Sequence, residues 1–318
     1  MSTLLSVTNL TTCFTGATGT ATAVNEVSLS IEPGQTVALV GESGSGKSMT
    51  ALSIMRLIPP PGFISSGRIE FEGQNLLEIP DNEMRSIRGR RISMIFQEPM
   101  TSLNPVLRIG DQVSEPFLLH QKISRREALD LSSELLHKVG IPSAAERIRD
   151  YPHQLSGGMR QRVMIAMALA CNPALLIADE PTTALDVTIQ AQILELIDSF
   201  RQARNMGLLL ITHDLGIVAE RSEHTCVMYA GRIVEEAPTR MLLDTPHHPY
   251  TQALLSSLPQ NSLPGRPLAT IPGQISATAG ASRGCGFCER CPRALRECRT
   301  EAPPVREVST GHTVRCWL

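Results

Sequence analysis

The stretch Gly41-Glu-Ser-Gly-Ser-Gly46-Lys47-Ser48 decides the fold class of this chain. It matches the phosphate-binding pattern G-x-x-x-x-G-K-[ST], which needs a strand before it and a helix after it. Residues 36–40 precede it as an almost unbroken apolar run, typical of a strand buried on both faces of a parallel sheet. Residues 47–57 follow with helical character. The pattern predicts a parallel α/β core that binds a nucleoside triphosphate.

The residue types of this loop explain the predicted binding. Glycines let backbone N–H groups turn toward phosphate oxygens, and the start of the following helix adds positive potential. We expect Lys47 to meet the β- and γ-phosphates and the Ser48 hydroxyl to bind Mg²⁺. The residues assigned to the nucleotide in this loop are Gly41, Ser43, Gly44, Ser45, Gly46, Lys47, Ser48 and Met49. Such a loop does not by itself separate kinases, GTPases and ATPases.

A pair of acids closes a second apolar run at residues 175–180. The carboxyl ends of parallel strands form the edge where ligands of open α/β sheets collect. Asp179 is predicted to bind Mg²⁺ there, and Glu180 to take the proton from an attacking water. His213 follows the run 208–211 and is expected at the same edge. A solvated strand end and a structural histidine are the plainer alternatives.

The composition of the whole chain excludes several classes of protein. Of its 318 residues, 42% are hydrophobic and 19% charged, which is too apolar for a disordered chain. The formal charge is −2 and aromatic residues make up 3%, so we expect no nucleic-acid partner. The uncharged apolar stretch at residues 163–178 is shorter than the roughly 20 residues that span a bilayer. We therefore expect a cytosolic chain, where grouped cysteines more often bind metal than form disulfides.

Five of the eight cysteines fall close to the C-terminus. They are Cys285, Cys288, Cys291, Cys298 and Cys316. The composition shifts to Pro, Ser, Gly and Thr from about residue 258, which predicts a module boundary there. Thiolates at such short spacings suit a tetrahedral zinc or an iron–sulfur cluster. Free or disulfide-bonded thiols remain a third possibility.

Residues 155–161, Leu-Ser-Gly-Gly-Met-Arg-Gln, resemble the signature motif of ATP-binding cassette (ABC) ATPases. Phe96-Gln97-Glu98-Pro99 then resembles the Q-loop, Ala184-Leu185-Asp186 the D-loop, and Thr212-His213-Asp214 the switch histidine. Longer runs at 96–105, 178–192 and 248–255 are similar to the ATPase subunits of dipeptide and oligopeptide (and nickel) importers. Within that family the likeness is to the dipeptide-permease D-subunit type.

The resemblance implies an architecture for the chain. It implies a RecA-like P-loop NTPase core with an antiparallel β subdomain and a helical subdomain at about residues 100–170. These parts form an ATP-binding domain over residues 1–257, and a cysteine-rich extension occupies residues 258–318.

The same resemblance implies that two cassettes face head to tail, with each ATP between one P-loop and the partner's signature motif. Glu180 is then the catalytic base, while Gln97 and His213 sense or contact the γ-phosphate. Phe14, the first aromatic residue, is the candidate for stacking adenine, with strand packing equally open. The implied Mg²⁺ ligands are Ser48, Gln97 and Asp179. The implied residues of the signature and D-loop side are Ser156, Gly157, Gly158, Gln161 and Asp186, with simple helix capping by Ser156 as the alternative.

The partners implied by the resemblance belong to a membrane complex. They are a paralogous F-type ATPase subunit in a heterodimer, two transmembrane permease subunits and, through these, a substrate-binding protein. The implied location is peripheral, on the cytoplasmic face of the bacterial inner membrane. Peptides are the first candidate substrate. Nickel, glutathione or an opine-like molecule are alternatives, as is a soluble cassette ATPase outside transport.

In this family a cysteine pattern of the C-terminal extension holds a four-iron–four-sulfur cluster. Carried over residue by residue, the pattern selects Cys285, Cys291, Cys298 and Cys316. Cys288 departs from the pattern and is an alternative ligand, and zinc is the alternative metal.

Overall fold

The computed structural model describes residues 3–16, 19–97, 102–183, 185–257, 270–275 and 283–318. Two compact units are distinguished. The loop unit comprises Met1–Ile31, Thr36–Leu77 and Leu210–Leu318, and the signature unit comprises Glu32–Gln35 and Glu78–Leu209. Three sequence predictions, at Glu98-Pro99 of the Q-loop, Ala184 of the D-loop and the boundary at residue 258, lie outside the described residues.

Strands and helices alternate along much of the chain, as the α/β pattern predicts. The strands are β1 (Leu5–Gly16), β2 (Gly19–Ile31), β3 (Thr36–Val40), β4 (Gly62–Phe71), β5 (Gln74–Asn75), β6 (Ile92–Ile95), β7 (Leu175–Asp179), β8 (Gly207–Thr212), β9 (His224–Tyr229), β10 (Arg232–Pro238), β11 (Val305–Ser309) and β12 (His312–Arg315). The α-helices are α1 (Lys47–Ile54), α2 (Asp81–Ile87), α3 (Ile109–His120), α4 (Arg125–Lys138), α5 (Ala144–Arg147), α6 (Gly157–Leu169), α7 (Val187–Arg204), α8 (Leu215–Arg221), α9 (Thr239–Asp244), α10 (Pro249–Ser256) and α11 (Glu297–Thr300). Within the described ranges, no helix combines the length and the hydropathy needed to cross a membrane.

The loop unit contains a four-stranded antiparallel sheet in the order β2-β1-β4-β5. In it Leu5 of β1 pairs with Ile31 of β2 on one side and with Phe71 of β4 on the other. In the sequence only the ends of the β1–β2 hairpin, residues 4–7 and 26–31, carry the pattern typical of strands. The strands run 12 and 13 residues instead, because their Thr-rich middle continues the ladder without the apolar alternation that marks a strand.

The second sheet of the loop unit carries the phosphate-binding loop. Its strands follow the order β11-β12-β10-β9-β3, with β3 parallel to β9 and the other pairs antiparallel. β3 has the predicted bounds and is buried at every residue. β11 and β12 belong to residues 283–318, hereafter the cysteine-rich segment. That segment is therefore built into the same sheet as the strand that leads into the loop.

An apolar core lies against this second sheet. It includes Val40 and Val227 from β3 and β9, together with Tyr229, Tyr250 and Phe287. The Tyr229 ring lies 4.7 Å from that of Tyr250 and 5.1 Å from that of Phe287, both edge to face. Such ring pairs add about 0.5–1.5 kcal/mol beyond area burial. The core thus joins the end of β9, helix α10 and the cysteine-rich segment.

The signature unit holds a parallel strand pair and a group of helices. β6 and β7 run parallel, with Ile95 opposite Ala178, and β8 begins in this unit. Helices α3, α4 and α6 pack against one another. α4 starts with a capping box, in which the Ser124 hydroxyl accepts from the Glu127 N–H and the Glu127 carboxylate accepts from the Ser124 N–H. This polar signal fixes the start of the helix.

Candidate functional site

The phosphate-binding loop between β3 and α1 requires glycine at both ends. Gly41 has φ 153° and Gly46 has φ 108°, backbone conformations that residues with a Cβ rarely adopt. A Cβ at Gly41 would lie 2.2 Å from the Met228 carbonyl oxygen, and one at Gly46 would lie 2.6 Å from that of Ala23. Neighbouring backbone therefore allows only glycine there, which explains the spacing of the motif.

Lys47, the first residue of α1, is buried and turned back over the loop. Its Nζ donates to the carbonyl oxygens of Gly41 at 2.7 Å and of Glu42 at 2.9 Å. Ser45 is also buried, and its Oγ has no hydrogen-bond partner among the described residues. The remaining predicted loop residues lie at the exposed tip (Ser43, Gly44) or half-buried in the first turn of α1 (Ser48, Met49).

Glu42 is a loop residue that the sequence analysis missed. Its backbone N–H donates to the Tyr250 hydroxyl at 2.9 Å, and its carboxylate accepts from Arg290 at 2.7 and 3.1 Å. Burial opposes the charge on Arg290, but its hydrogen bonds to Glu42 and Tyr229 raise the pKa of the guanidinium. Burial also raises the pKa of the Tyr250 phenol. Nothing in the sequence pairs these residues, because they lie 208 and 248 positions from Glu42.

Two further predicted residues lie in the loop unit. Phe14 of β1 pairs with Gly62 of β4, and a Cβ at Gly62 would lie 2.6 Å from the Phe14 ring. The ring thus covers the Gly62 backbone while remaining half-exposed. His213 is exposed directly after β8, and the next residue, Asp214, accepts the Gly216 N–H at 2.8 Å as the cap of α8. This cap fixes the chain direction just beyond the histidine.

The signature unit brings the predicted Mg²⁺ ligands Gln97 and Asp179 to one edge. Asp179 is the last residue of β7 and is 3% exposed, and Gln97 follows the end of the parallel neighbour β6 by two residues. Glu180 comes next with φ 47°, a left-handed conformation that is costly for a residue with a Cβ. Its carboxylate accepts the Thr183 hydroxyl at 2.8 Å. Strained backbone of this kind clusters at functional sites.

The signature motif forms the start of α6. The Ser156 hydroxyl accepts the Met159 N–H at 3.3 Å, so the capping alternative and a ligand role are both compatible with its position. Gly157 is exposed, and a Cβ there would meet no described atom within 4 Å. Gln161 is 2% exposed and donates to the carbonyl of Pro181, which follows Glu180. Asp186 caps α7 by accepting the Ile189 N–H at 2.9 Å.

The four predicted cysteine ligands and the alternative Cys288 all belong to the cysteine-rich segment, and none forms a disulfide. The Cys285 N–H donates to the Cys298 carbonyl at 2.8 Å, and the Cys288 N–H to that of Cys285 at 3.0 Å. Burial raises the pKa of Cys285 to about 11, and the nearby thiols of other cysteines add to that shift. Burial likewise raises the pKa of Cys291. The thiols are thus crowded in surroundings that disfavour free thiolates.

A compact group of potential ligands lies elsewhere among the described residues. The ligand atoms of His224, Cys226 and Glu236, on β9 and β10, all fall within 4.8 Å of one another. His224 Nε2 and the Glu236 carboxylate are already within hydrogen-bond distance, at 3.3 Å. Burial and the Glu236 carboxylate raise the pKa of the Cys226 thiol well above its usual value. The group is therefore satisfied by a histidine–carboxylate contact beside a protonated thiol.

Comparison with known proteins identifies the family of the chain. The family described as "ABC transporter" matches residues 24–183, and "Oligopeptide/dipeptide transporter, C-terminal region" matches residues 234–298. The oligopeptide transport ATP-binding protein AppD of Bacillus subtilis is 50% identical over 100% of this chain and 97% of its own. The dipeptide transport ATP-binding protein DppD of Escherichia coli is 47% identical over 98% and 96%.

A solved structure supports the fold. The dimeric ATP-binding cassette MJ0796, bound to ADP and Pi, superposes with a TM-score of 0.67 and 28% identity, covering 74% of this chain and 99% of that one. The mixed sheets and helices described above are those of the ABC ATPase cassette fold, which confirms the α/β prediction. With its P-loop, acid pair and signature motif in order, this chain belongs to the ABC transporter family.

Proposed function

We propose that this chain is the ATP-hydrolysing subunit of a membrane importer for dipeptides or oligopeptides. The observation that carries the proposal is 47–50% identity, along nearly the whole chain, to two transport ATP-binding proteins described as acting on those substrates. The geometry supports it, since the P-loop has the backbone conformation and the buried lysine that triphosphate binding requires.

Triphosphate binding falls to the loop unit. The P-loop residues from Gly41 to Met49 surround the phosphates with backbone N–H groups, and Lys47 exchanges two neutral carbonyls for charged phosphate oxygens. Phe14 offers its half-exposed ring to adenine. Ser48 of this unit, with Gln97 and Asp179 of the signature unit, would hold Mg²⁺, which would neutralise charge on the phosphates.

Hydrolysis is assigned to the residues at the strand ends. Glu180 accepts a proton from the water that attacks the γ-phosphorus, and the bond between that phosphorus and the ADP oxygen breaks. The Thr183 hydroxyl fixes the orientation of the Glu180 carboxylate. His213 donates a hydrogen bond to the γ-phosphate, and Gln97 reports its presence. A positioned general base of this kind is typically worth about 10²–10⁴-fold in rate.

The signature motif is assigned to a second cassette's ATP. Packing within the described chain does not explain a glycine at position 157, because a Cβ there would meet open space. Close approach of a partner's phosphate does explain it, and the exposed start of α6 offers N–H groups and helix-end potential. Ser156, Gly158 and Asp186 share this role, and the buried Gln161 holds the Pro181 carbonyl beside Glu180. The solved cassette MJ0796 is described as dimeric, which supports the arrangement.

The assembly that we propose contains a paralogous F-type ATPase subunit, two transmembrane permease subunits and a substrate-binding protein that delivers peptide to them. The chain then sits peripherally on the cytoplasmic face of the bacterial inner membrane. An ATP-binding domain over residues 1–257, with its helical part at about 100–170, and an extension over 258–318 are the corresponding domains.

We also propose that the cysteine-rich segment holds a four-iron–four-sulfur cluster on Cys285, Cys291, Cys298 and Cys316, with Cys288 as the alternative ligand. The crowded, buried thiols fit a group that stabilises thiolates. A single zinc would need four sulfurs at about 2.3 Å from one ion, hence close together. Soft thiolates suit zinc as well as iron, so zinc is the alternative metal.

Metal analysis of the anaerobically purified full chain separates the two metals. We expect about four irons per chain and broad visible absorbance, both lost in Cys298→Ser and retained in Cys171→Ser, a half-buried cysteine outside the segment. One equivalent of zinc without iron would overturn the cluster.

The substitution Glu180→Gln tests the proposed function. It keeps the shape of the side chain and removes the base, so we expect turnover in the assembled importer to fall about 10²–10⁴-fold while ATP remains bound. Glu195→Gln, on the exposed face of α7, is the matched control and should leave turnover unchanged. ATPase rates and retained nucleotide are measured together. Turnover retained in Glu180→Gln would remove Glu180 from the role of base.

A further inference from the structure

A polar contact joins the cysteine-rich segment to the phosphate-binding loop within the loop unit. Arg290 lies between Cys288 and Cys291 in a single 3₁₀ turn, and its side chain is 7% exposed. Its Nη1 lies 2.7 Å from Glu42 Oε2, and its Nη2 lies 3.1 Å from Glu42 Oε1. These two parallel bonds are the bidentate geometry that a guanidinium forms with a carboxylate.

Three groups of Glu42 form hydrogen bonds, and each bond helps to fix the conformation of the phosphate-binding loop. Its carboxylate binds Arg290, its N–H donates to the Tyr250 hydroxyl at 2.9 Å, and its carbonyl accepts from Lys47 Nζ at 2.9 Å. The Ser45 N–H also donates to that carbonyl, at 3.2 Å. A displacement of Glu42 therefore moves an acceptor of Lys47 and the turn that carries Ser45.

Arg290 is itself fixed by its surroundings. Nη1 donates to the Tyr229 hydroxyl at 3.3 Å, while Nε and Nη2 donate to the carbonyls of Pro272 and Ile271 at 2.8 and 3.2 Å. The guanidinium also lies 5.8 Å from the centre of the Tyr229 ring. Because the Arg290 guanidinium donates hydrogen bonds in several directions, it is held rigidly in the cysteine-rich segment. A shift of that segment would therefore displace Glu42.

We propose that Arg290 is a positioning residue for ATP binding, through which the cysteine-rich segment sets the conformation of the phosphate-binding loop. It follows that the order of that segment, including the loading of its cysteines, controls the affinity of the chain for ATP. The inference rests on the proposed function, since it assigns regulation to the same P-loop. It gives a reason for placing an arginine inside the cysteine cluster.

A purely structural role for Arg290 makes a different prediction. If Arg290 only pinned residues 271 and 272, its loss would lower the unfolding temperature and leave the ATP affinity of the folded chain unchanged. A positioning role changes the dissociation constant in protein that is still folded. It also couples Arg290 to Glu42, so that removing both costs little more than removing either.

The test measures binding of a fluorescent ATP analogue to the full chain. Arg290→Met should bind about tenfold more weakly, within the usual range of coupling between sites, and Arg290→Lys should be intermediate because it keeps the charge without the fork. Arg293→Met, an exposed arginine of the same segment, is the matched control and should bind as the wild type does. Glu42→Ala should match Arg290→Met, and the double variant should add less than twofold.

The outcomes separate this inference from the proposed function. Folded Arg290→Met with the affinity of the Arg293→Met control overturns the positioning role, and so do additive losses in the double variant. Lys47→Ala, in the same assay, checks the P-loop itself. If wild type and Lys47→Ala bind alike, the proposed function fails and the inference fails with it.

Discussion

The two compact units hold their nucleotide-related groups by opposite means. In the signature unit the polar side chains at Ser156, Glu180 and Asp186 bond to residues three positions away. In the loop unit Glu42 of the phosphate-binding loop bonds to Tyr250 and Arg290, 208 and 248 positions away. A local bond needs only one turn of chain. A distant bond needs the whole unit to be folded, so the phosphate-binding loop depends on the C-terminal part of the chain in a way that the signature motif does not.

Hydrogen bonds between residues far apart in the sequence continue beyond Tyr250, where they form a buried polar junction. Glu235 of β10 accepts from His312 Nε2 of β12 at 2.8 Å and from the backbone N–H groups of His247 and His248 at 2.6 and 3.0 Å. His248 in turn accepts the Tyr250 N–H on its Nδ1 at 3.0 Å. Buried carboxylates need such partners, since an uncompensated buried charge costs several kcal/mol. This junction connects the cysteine-rich segment to the helix that carries Tyr250.

Among the changes that test this difference between the two units, the largest expected one is a loss of stability of the loop unit in acid. Burial lowers the pKa of His248 to about 4, although the Glu235 carboxylate acts in the opposite direction. The unfolded histidine titrates at about 6.5. Between those values the unfolded state binds a proton that the native state does not, so stability falls as the pH falls through 6.5 toward 4. From pH 7 to pH 5 the loss from this residue is about 2 kcal/mol.

Urea unfolding at pH 7 and pH 5 measures this loss, with His248→Asn as the control. Asparagine also accepts an N–H at a helix start but does not titrate. The wild type should lose about 2 kcal/mol more than the variant between the two pH values. Equal losses of unfolding free energy in the wild type and in His248→Asn would show that His248 is not the source of the acid sensitivity of the loop unit.

The local features could be predicted from the sequence because each is encoded within a few residues. β3 begins and ends where its apolar run does, and α1 begins at the predicted Lys47. The apolar run 175–178 ends in Asp179, so its position at the carboxyl edge follows from the order of residues. Backbone hydrogen bonding and burial act on the same short segments that the pattern describes.

The distant features could not be predicted, because no short pattern encodes them. Arg290 reads in the sequence as a spacer between two cysteines, and Glu42 as a variable position of the motif. Their pairing arises only when β3, β9, β10 and β12 assemble into one sheet. The Thr-rich middle of the β1–β2 hairpin carries no strand pattern for a related reason, since its threonines gain their partners from neighbouring strands.

The smallest expected effect concerns the local support of the signature unit. Asp186→Ala removes the acceptor of the Ile189 N–H at the start of α7, which should cost about 1 kcal/mol of unfolding free energy. Asp186→Asn retains the cap and should lower the unfolding free energy by only about a few tenths of a kcal/mol. ATP binding to the isolated chain should stay unchanged in both, because no distant bond to the phosphate-binding loop is cut. Weakened binding in Asp186→Ala would instead show that the signature unit supports the loop as directly as the cysteine-rich segment does, and the contrast between the two units would be lost.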